Sequence, residues 1–231
     1  MDFTIDELIR SKRRSISLEI TRDGRLVVRA PLRMPNRLIE QAVAHKRDWI
    51  EEKLRDAAAR DTLHPPKRCV EGESFELLGK HYALSFDANV NTIAVIGNCL
   101  SVPAVFAQDN VLLAQRLVTW YKEQAGLALR ARVVEIAALN GITYESVRIT
   151  SALSRWGSCS GKGHLCFSWR LVLAPPEQID YVVVHELSHI GHPDHSAAFW
   201  RCVAQLMPDY ALRREWFRQH AALLRHDFFA E

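Results

Sequence analysis

The chain contains the run His185-Glu186-Leu187-Ser188-His189, directly followed by Ile190-Gly191-His192-Pro193-Asp194-His195. On a helix, residues four apart lie one turn above each other. The imidazoles of His185 and His189 therefore project from one face and can bind a single ion. The carboxylate of Glu186 stands beside them. Two imidazoles that hold a metal, next to a carboxylate that takes a proton from metal-activated water, are typical of zinc hydrolases.

A catalytic zinc usually has three protein ligands, so the pattern requires one more. We expect His195, because Gly191 can end the helix in a left-handed conformation and Pro193 cannot continue it. The chain then turns back toward the first two histidines. His192 is the alternative, since it lies seven positions after His185 and would point along the same stripe if the helix continued.

The residues that precede the motif support a genuine metal site. Tyr181-Val182-Val183-Val184 is apolar and predicts a buried helix. A buried set of two histidines and one glutamate would be costly to desolvate without a metal. We therefore favour a metal site over the chance match that a chain with ten histidines allows.

The bulk composition is that of an ordinary globular protein. With 231 residues, of which 48% are apolar, the chain can hold one large domain or two small ones. The net charge of +3 is compatible with an anionic partner but does not establish one. Five widely spaced cysteines predict reduced thiols rather than a disulfide framework. The acidic start is unlike a secretory signal, and no stretch approaches the ~20 apolar residues of a membrane span, so we expect a cytoplasmic protein without membrane contact.

The amino-terminal part of the chain predicts a hairpin followed by a helix. Apolar residues alternate over residues 16–20, and Asp23-Gly24 supplies a turn before residues 26–28. A helical pattern begins at Pro35, and His64-Pro65-Pro66 marks the clearest linker. We therefore divide the chain into a hairpin and helix region, residues 1–64, and a metal-site region, residues 65–231, and expect the two to pack together as one unit.

The metal-site region mixes strands and helices, which predicts the α+β class. Two hairpins should turn at Gly79-Lys80 and Gly97-Asn98. The further predicted elements are a long helix over residues 110–139, strands over residues 147–150 and 164–169, the metal helix, and two amphipathic helices over residues 196–206 and 212–224. We expect the long helix to pack on the metal helix and support the site from behind.

Several stretches together are similar to one known family. They are Arg155-Trp156-Gly157-Ser158-Cys159, Trp169-Arg170-Leu171, Pro175, the run from Tyr181 to His189, His195-Ser196 and Phe199-Trp200. They resemble the YgjP-like metallopeptidase domain, a family related to the SprT-like and gluzincin-type zinc proteases. The resemblance implies a zincin-like core with a small antiparallel sheet, zinc on His185, His189 and His195, and Glu186 as the base. Ser168 departs from it, since we expect an Asn there.

The leading hypothesis is a zinc metallopeptidase that acts on a peptide or protein. The strand over residues 164–169 is the predicted edge on which an extended peptide would add as a further strand. Candidate substrate-binding residues are Trp156, His164 and Arg155. Trp156 could stack on substrate or pack its loop onto the core, and His164 could contact substrate or be polar surface. Arg155 and Arg148 are candidates for stabilising an oxyanion.

Two other functions fit parts of the sequence. A zinc-dependent hydrolase of nucleoside triphosphates, of the pyrophosphatase type, would use the same activated water, and Ser160-Gly161-Lys162-Gly163 is a basic glycine-rich loop near the site in sequence. A DNA-associated protein with a mainly structural metal site would use Lys12, Arg13 and Arg14, although such a cluster is more often a solvated strand entrance. No oligomeric state follows from the sequence.

Overall fold

A computed structural model describes residues 4–21, 24–63 and 67–224 of the chain. It contains two compact units, residues 1–65 and 66–231. The linker expected at His64-Pro65-Pro66 lies outside the described residues, as does Asp23 of the expected turn. The packing of the two regions as one unit stays a prediction.

The first unit is a three-stranded sheet with two helices. Its elements are β1 (Glu7–Ser11), β2 (Ser17–Ile20), β3 (Leu26–Pro31), α1 (Asn36–His45) and α2 (Arg47–Leu63). Strand β3 lies in the middle, antiparallel to β2 and parallel to β1. The predicted hairpin is therefore confirmed, and the predicted helix is divided in two at Lys46. The core of the unit consists of Leu26, Val28, Ala30, Ile39, Val43 and Ile50.

Arg10, the first residue of the basic cluster Arg10-Ser11-Lys12-Arg13-Arg14, has a structural role. Its guanidinium donates to the carbonyls of Pro31, Leu32 and Met34 and, over 2.6 Å, to Oδ1 of Asn36. These bonds tie β1 to the turn that leads into α1. Part of the basic cluster is therefore occupied within the fold.

The second unit begins with a four-stranded sheet. Its strands are β4 (Ser74–Leu77), β5 (Lys80–Asp87), β6 (Ala94–Ile96) and β7 (Cys99–Pro103). The order is β4-β5-β7-β6, with antiparallel outer pairs and a parallel central pair. Both hairpins predicted at Gly79-Lys80 and Gly97-Asn98 are confirmed.

A second, three-stranded sheet supports the metal-site helix. Its strands are β8 (Ser146–Thr150), β9 (Gly157–Cys159) and β10 (His164–Ser168), in the order β8-β10-β9. Strand β10 is antiparallel to β9 but parallel to β8, so the sheet is mixed rather than wholly antiparallel. The predicted edge strand is wrong, because β10 is paired on both sides. The predicted strand also ends one residue early, since residues Trp169–Leu173 form a 3₁₀ turn.

Four helices complete the second unit and confirm the α+β class. They are α3 (Asn110–Leu139), α4 (Pro176–Gly191), α5 (Ala197–Leu206) and α6 (Tyr210–Leu224). Helix α3 packs against α4 and against the 3₁₀ turn, as predicted for the long helix and the metal helix. Arg132 of α3 donates to both carboxylate oxygens of Asp180 on α4, over 2.6 and 2.9 Å, which fixes one helix against the other.

The described helices include none that combines the length and apolar character of a membrane span. The longest, α3, has 30 residues. One of its faces is buried in the core of the second unit, and that face includes Leu117, Tyr121, Leu129 and Val133.

The turn between β4 and β5 supports the start of α4. The backbone N–H of Leu78 donates to the carbonyl of Val172 over 2.7 Å. Gly79 has a φ of +73°, and a Cβ built there would lie 2.9 Å from the Cα of Pro175. Only glycine fits both the left-handed backbone and this close approach.

The fold predicts that Gly79→Ala is more destabilising than Gly97→Ala. Both glycines have positive φ, but a Cβ at Gly97 meets nothing within 4 Å. We expect Gly97→Ala to cost about 1 kcal/mol from backbone strain alone, and Gly79→Ala about 3 kcal/mol because the clash with Pro175 is added. Urea denaturation of both variants measures the difference. Equal losses would show that the turn does not bear on the start of α4.

Candidate metal centre

Helix α4 carries the first two histidines and ends just after them. It begins at Pro176, where the missing N–H costs nothing, and has Glu177 in its first turn. The predicted left-handed Gly191 is wrong, since Gly191 is the last helical residue and its φ is not positive. The helix ends because His192 is extended, with φ −137° and ψ 91°, as expected for the residue before a proline.

Three imidazoles converge beyond this helix end. Ligand atoms of His185, His189 and His195 all lie within 4.8 Å of one another. The Nε2 atoms of His185 and His195 stand 3.1 Å apart. Two nitrogens that each lie ~2.0–2.1 Å from a tetrahedral zinc ion would be about 3.3 Å apart, so this spacing fits zinc.

Phe199 of α5 contacts all three histidines from one side. Its ring centroid is 4.9 Å from that of His185, 4.4 Å from His189 and 4.9 Å from His195. The Phe199 side chain is fully buried. Because one immobile ring contacts all three imidazoles, it limits their rotation and keeps them together.

His192, the alternative third ligand, contributes its backbone carbonyl to the site. Nδ1 of His189 lies 3.0 Å from the carbonyl oxygen of His192. A carbonyl can only accept, so Nδ1 of His189 carries the proton and Nε2 keeps its lone pair. This is the usual second contact of a metal-binding histidine. The ring of His192 is not part of the group of three.

The loop before α5 positions His195. The side chain of Ser196 caps α5 by accepting from the N–H of Phe199, and Oδ1 of Asp194 accepts from the N–H of Ser196 over 3.1 Å. These bonds fix the residues on both sides of His195. They also lower the pKa of Asp194, because the hydrogen bonds from Ser196 favour the carboxylate.

Burial keeps His185 neutral. Desolvation, followed by the charges of the neighbouring histidines and of Arg214, lowers the pKa of His185 to about 3. Its Nδ1 is buried and has no hydrogen-bond partner among the described residues. The nitrogen that faces the other histidines is Nε2, which lies 3.1 Å from Nε2 of His195 and would bind the metal. A metal ligand must be neutral, and the lowered pKa of His185 meets that requirement. The donor set therefore fits a metal ion better than a structural role.

Glu186 is buried on the side of the helix that faces β9. It is only 5% exposed, and burial raises its pKa to about 8, although the positive charge of Arg155 acts in the opposite direction. A Cβ built at Gly157 would lie 2.5 Å from Oε1 of Glu186. The carboxylate thus packs against the bare backbone of β9, and any side chain at Gly157 would displace it.

Strand β9 exposes one backbone edge beside this carboxylate. The N–H of Ser168 donates to the carbonyl of Trp156, and the N–H of Ser160 donates to the carbonyl of His164. Because hydrogen-bonded pairs alternate in an antiparallel ladder, the N–H and C=O groups of Gly157 and Cys159 point away from β10. The free edge of the sheet at the site is therefore β9.

Two of the three predicted substrate-binding residues lie near Glu186. Arg155 and Trp156 directly precede Gly157, and Trp156 is half-buried with its ring 5.6 Å from that of Phe217. His164 lies at the other end of β10, where Nδ1 is 2.9 Å from Oγ of Ser146. The structure does not bring His164 into the group.

Two further residues lie away from the site. Arg148 is on β8, separated from β9 by the central strand. Ser168, where the resemblance leads us to expect an Asn, is buried and donates from Oγ to the carbonyl of Ala152 over 2.9 Å. Its side chain holds the loop that carries Arg155 and Trp156.

Several residues that shape the centre have no role that the sequence analysis predicted. Tyr181 contacts both His185 and Phe217, with ring centroids 6.0 and 5.9 Å apart. Arg214 lies with Cζ 4.7 Å from the ring centroid of Trp200, which is itself 5.9 Å from His185. The adjacent aromatic residues Phe199 and Trp200, about one turn after His195, could have indicated a role for Trp200. No local pattern marks Arg214, because α6 reaches the site only through the tertiary fold.

The buried carboxyl predicts a pH-dependent stability difference between metal-free wild type and Glu186→Gln. The pKa of Glu186 is about 8 in the folded protein against an ordinary 4.5, so the folded state retains a proton that the unfolded state loses between these values. The wild type therefore loses stability as pH rises through this window, whereas the glutamine variant does not titrate.

We expect Glu186→Gln to be nearly neutral at about pH 4.5 and stabilising by about 4 kcal/mol above pH 8. Urea denaturation of both proteins, stripped of metal, across this range measures the difference. A gap that stays constant with pH, or that closes toward high pH, would contradict the burial of an ionisable carboxyl here.

Comparison with known proteins identifies the family of the chain. The model of the YgjP-like metallopeptidase domain matches residues 14–220 of the chain. Among solved structures, the metallopeptidase zymogen abylysin of Pyrococcus abyssi is 21% identical, with a TM-score of 0.36, over 39% of this chain and 93% of that one. No curated protein matches the sequence. The match over most of its length shows that the chain belongs to the YgjP-like metallopeptidase family and is a metal-dependent hydrolase of the peptidase class.

Proposed function

We propose that the protein is a zinc metallopeptidase in which His185, His189 and His195 hold the metal and Glu186 is the general base. The observation that carries the proposal is the convergence of three imidazoles next to one buried carboxyl. When bound there, zinc would supply Lewis-acid chemistry, lowering the pKa of a water molecule and polarising the scissile carbonyl.

Glu186 would move the proton. Its raised pKa makes it a stronger base than an exposed carboxylate, so it can take a proton from the attacking water and return it to the leaving amine. The close backbone of Gly157 would hold the carboxyl group in one position during both transfers. Arg155, whose charge already acts on Glu186, is the candidate for stabilising the oxyanion.

A peptide substrate would bind along β9. The outward N–H and C=O groups of Gly157 and Cys159 can pair with an extended chain by strand addition. Strand β9 thus replaces β10 as the strand on which the peptide would add, with the same mode of recognition. A peptide on this edge would pass next to Glu186, because Gly157 contacts that carboxyl directly.

The two alternative functions have less support. In the glycine-rich loop, Oγ of Ser160 accepts from the N–H groups of Lys162 and His164, so the loop is used as a tight turn between β9 and β10. This weakens the case for a nucleoside triphosphate there. The DNA alternative rests on Lys12, Arg13 and Arg14 alone. The cytoplasmic location stays a prediction, consistent with five free cysteines.

Zinc content and turnover test the proposed ligands and base. We expect about one zinc per chain in the wild type, loss of zinc in His195→Ala, and retention in His192→Ala, because His192 contributes its carbonyl. Glu186→Gln should keep zinc and lose hydrolysis of casein by at least about a hundredfold. Elemental mass spectrometry and a protease assay measure both. Unchanged zinc content in His195→Ala, or full activity in Glu186→Gln, would refute the assignment.

The same assay discriminates the nucleotide alternative. Incubation with nucleoside triphosphates and with casein shows which compound is consumed only while Glu186 is intact. Consumption of the nucleotide alone would reject the peptidase.

The contact between Gly157 and Glu186 makes a separate prediction. Gly157→Ala should lower kcat about a hundredfold, because the new methyl group displaces the carboxyl by an ångström or more. Zinc content should be unchanged. Gly161→Ala is the matched control, since a Cβ there meets nothing within 4 Å. If the two variants are equally active in the casein assay, Gly157 does not position Glu186.

A further inference from the structure

An open cleft lies beside the metal centre, between the Trp156 loop and α6. Its volume is about 580 Å³, which is in the range of small-ligand sites. The lining residues are Trp156, Tyr210, Ala211, Arg214, Glu215, Phe217 and Arg218. The cleft adjoins the site, because Trp156 directly precedes Gly157, the residue whose backbone packs on Glu186.

The opposite wall of the cleft also leads to the metal ligands. Phe217 contacts Tyr181, and Tyr181 contacts His185. A peptide that pairs with β9 at Gly157 and continues past Trp156 therefore reaches this cleft within a residue or two of the proposed cleavage point.

Charges that line the cleft are compensated except for one. Glu215 accepts from Arg218 through two bonds of 2.8 Å and also accepts from Gln219. Arg214 makes no hydrogen bond and no ion pair within residues 4–21, 24–63 and 67–224. Its charge nevertheless lies near the site, because the Trp200 ring that it contacts is 5.9 Å from the ring of His185.

The side chain of Arg214 is ordered by aromatic contacts and can donate hydrogen bonds to an anion. Its guanidinium lies 4.7 Å from the ring centroid of Trp200, and Trp200 stacks on Tyr210 with ring centroids 5.5 Å apart. Tyr210 and Arg214 are four residues apart on α6, so both face the same indole. This cation–π contact orders the arginine and leaves its N–H groups available.

We propose that this cleft binds a carboxylate of the peptide substrate through Arg214, so that the enzyme prefers an acidic group next to the cleaved bond. The inference rests on the proposed peptidase function and names its substrate class. A guanidinium with five N–H groups matches a carboxylate by forming two parallel hydrogen bonds. The carboxylate belongs either to an Asp or Glu side chain or to the carboxyl terminus of the substrate.

Peptide binding to the zinc-loaded Glu186→Gln protein tests the proposal without turnover. The probes are fluorescent octapeptides with acetylated and amidated ends, in which one Gln is replaced by Glu at each position in turn. A neutral octapeptide with a free carboxyl terminus is the second arm. We expect about tenfold tighter binding for at least one acidic peptide than for its neutral counterpart, and a smaller advantage at high salt.

Variants assign the preference to Arg214. Arg214→Ala in the Glu186→Gln background should abolish the tenfold advantage, and Arg214→Glu should reverse it toward a Lys-containing peptide. Arg201→Ala is the matched control, because it removes the same charge from an exposed position on α5 outside the cleft and should keep the advantage. Tighter binding of a Glu-containing capped peptide shows that an acidic side chain is bound, and tighter binding of the peptide with a free carboxyl terminus shows that the terminus is bound.

An acid preference that survives Arg214→Ala, or no acid preference in either arm, would overturn the proposal. Failure of the peptidase function has a different signature. In that case zinc is absent, or Glu186→Gln hydrolyses casein as well as the wild type does, whatever the octapeptides show.

Discussion

The packing of the Glu186 carboxyl against the bare backbone of Gly157 is the contact on which the site depends. It requires a glycine in β9, a helix that ends within two turns of the carboxyl, and a sheet that presents its edge strand to that helix. Burial at this contact raises the pKa of Glu186 to about 8 and makes it a better base. The same burial destabilises the folded protein when Glu186 is ionised, so the residue that gains reactivity also lowers the stability of the fold.

The three histidines are held in place by neighbouring groups that would not themselves bind the metal. Phe199 contacts all three rings, and the carbonyl of His192 holds His189 in the tautomer that leaves Nε2 free. The short connection between α4 and α5 supplies both the carbonyl and His195. A residue that competes with His195 in the sequence therefore assists the site through its backbone.

The surroundings of the centre are positively charged. Arg155 acts on Glu186 from the β8–β9 loop, and Arg214 acts on His185 from α6. Each comes from a different element, and together they create a field that favours the negative charge developing on a carbonyl oxygen or carried by a substrate. The net charge of +3 for the whole chain conceals this local concentration.

The sequence by itself determined the helices, the hairpins and the residues of the H-E-x-x-H motif, because helical and strand periodicity and turn residues act over a few neighbours. It also indicated His195, although for a reason that proved wrong, since Gly191 is not left-handed. Only the tertiary structure decided that β10 is central and β9 is the edge, because strand order depends on packing between distant segments. It likewise decided that Arg214, 28 residues after Glu186, stands beside the centre while His164 does not.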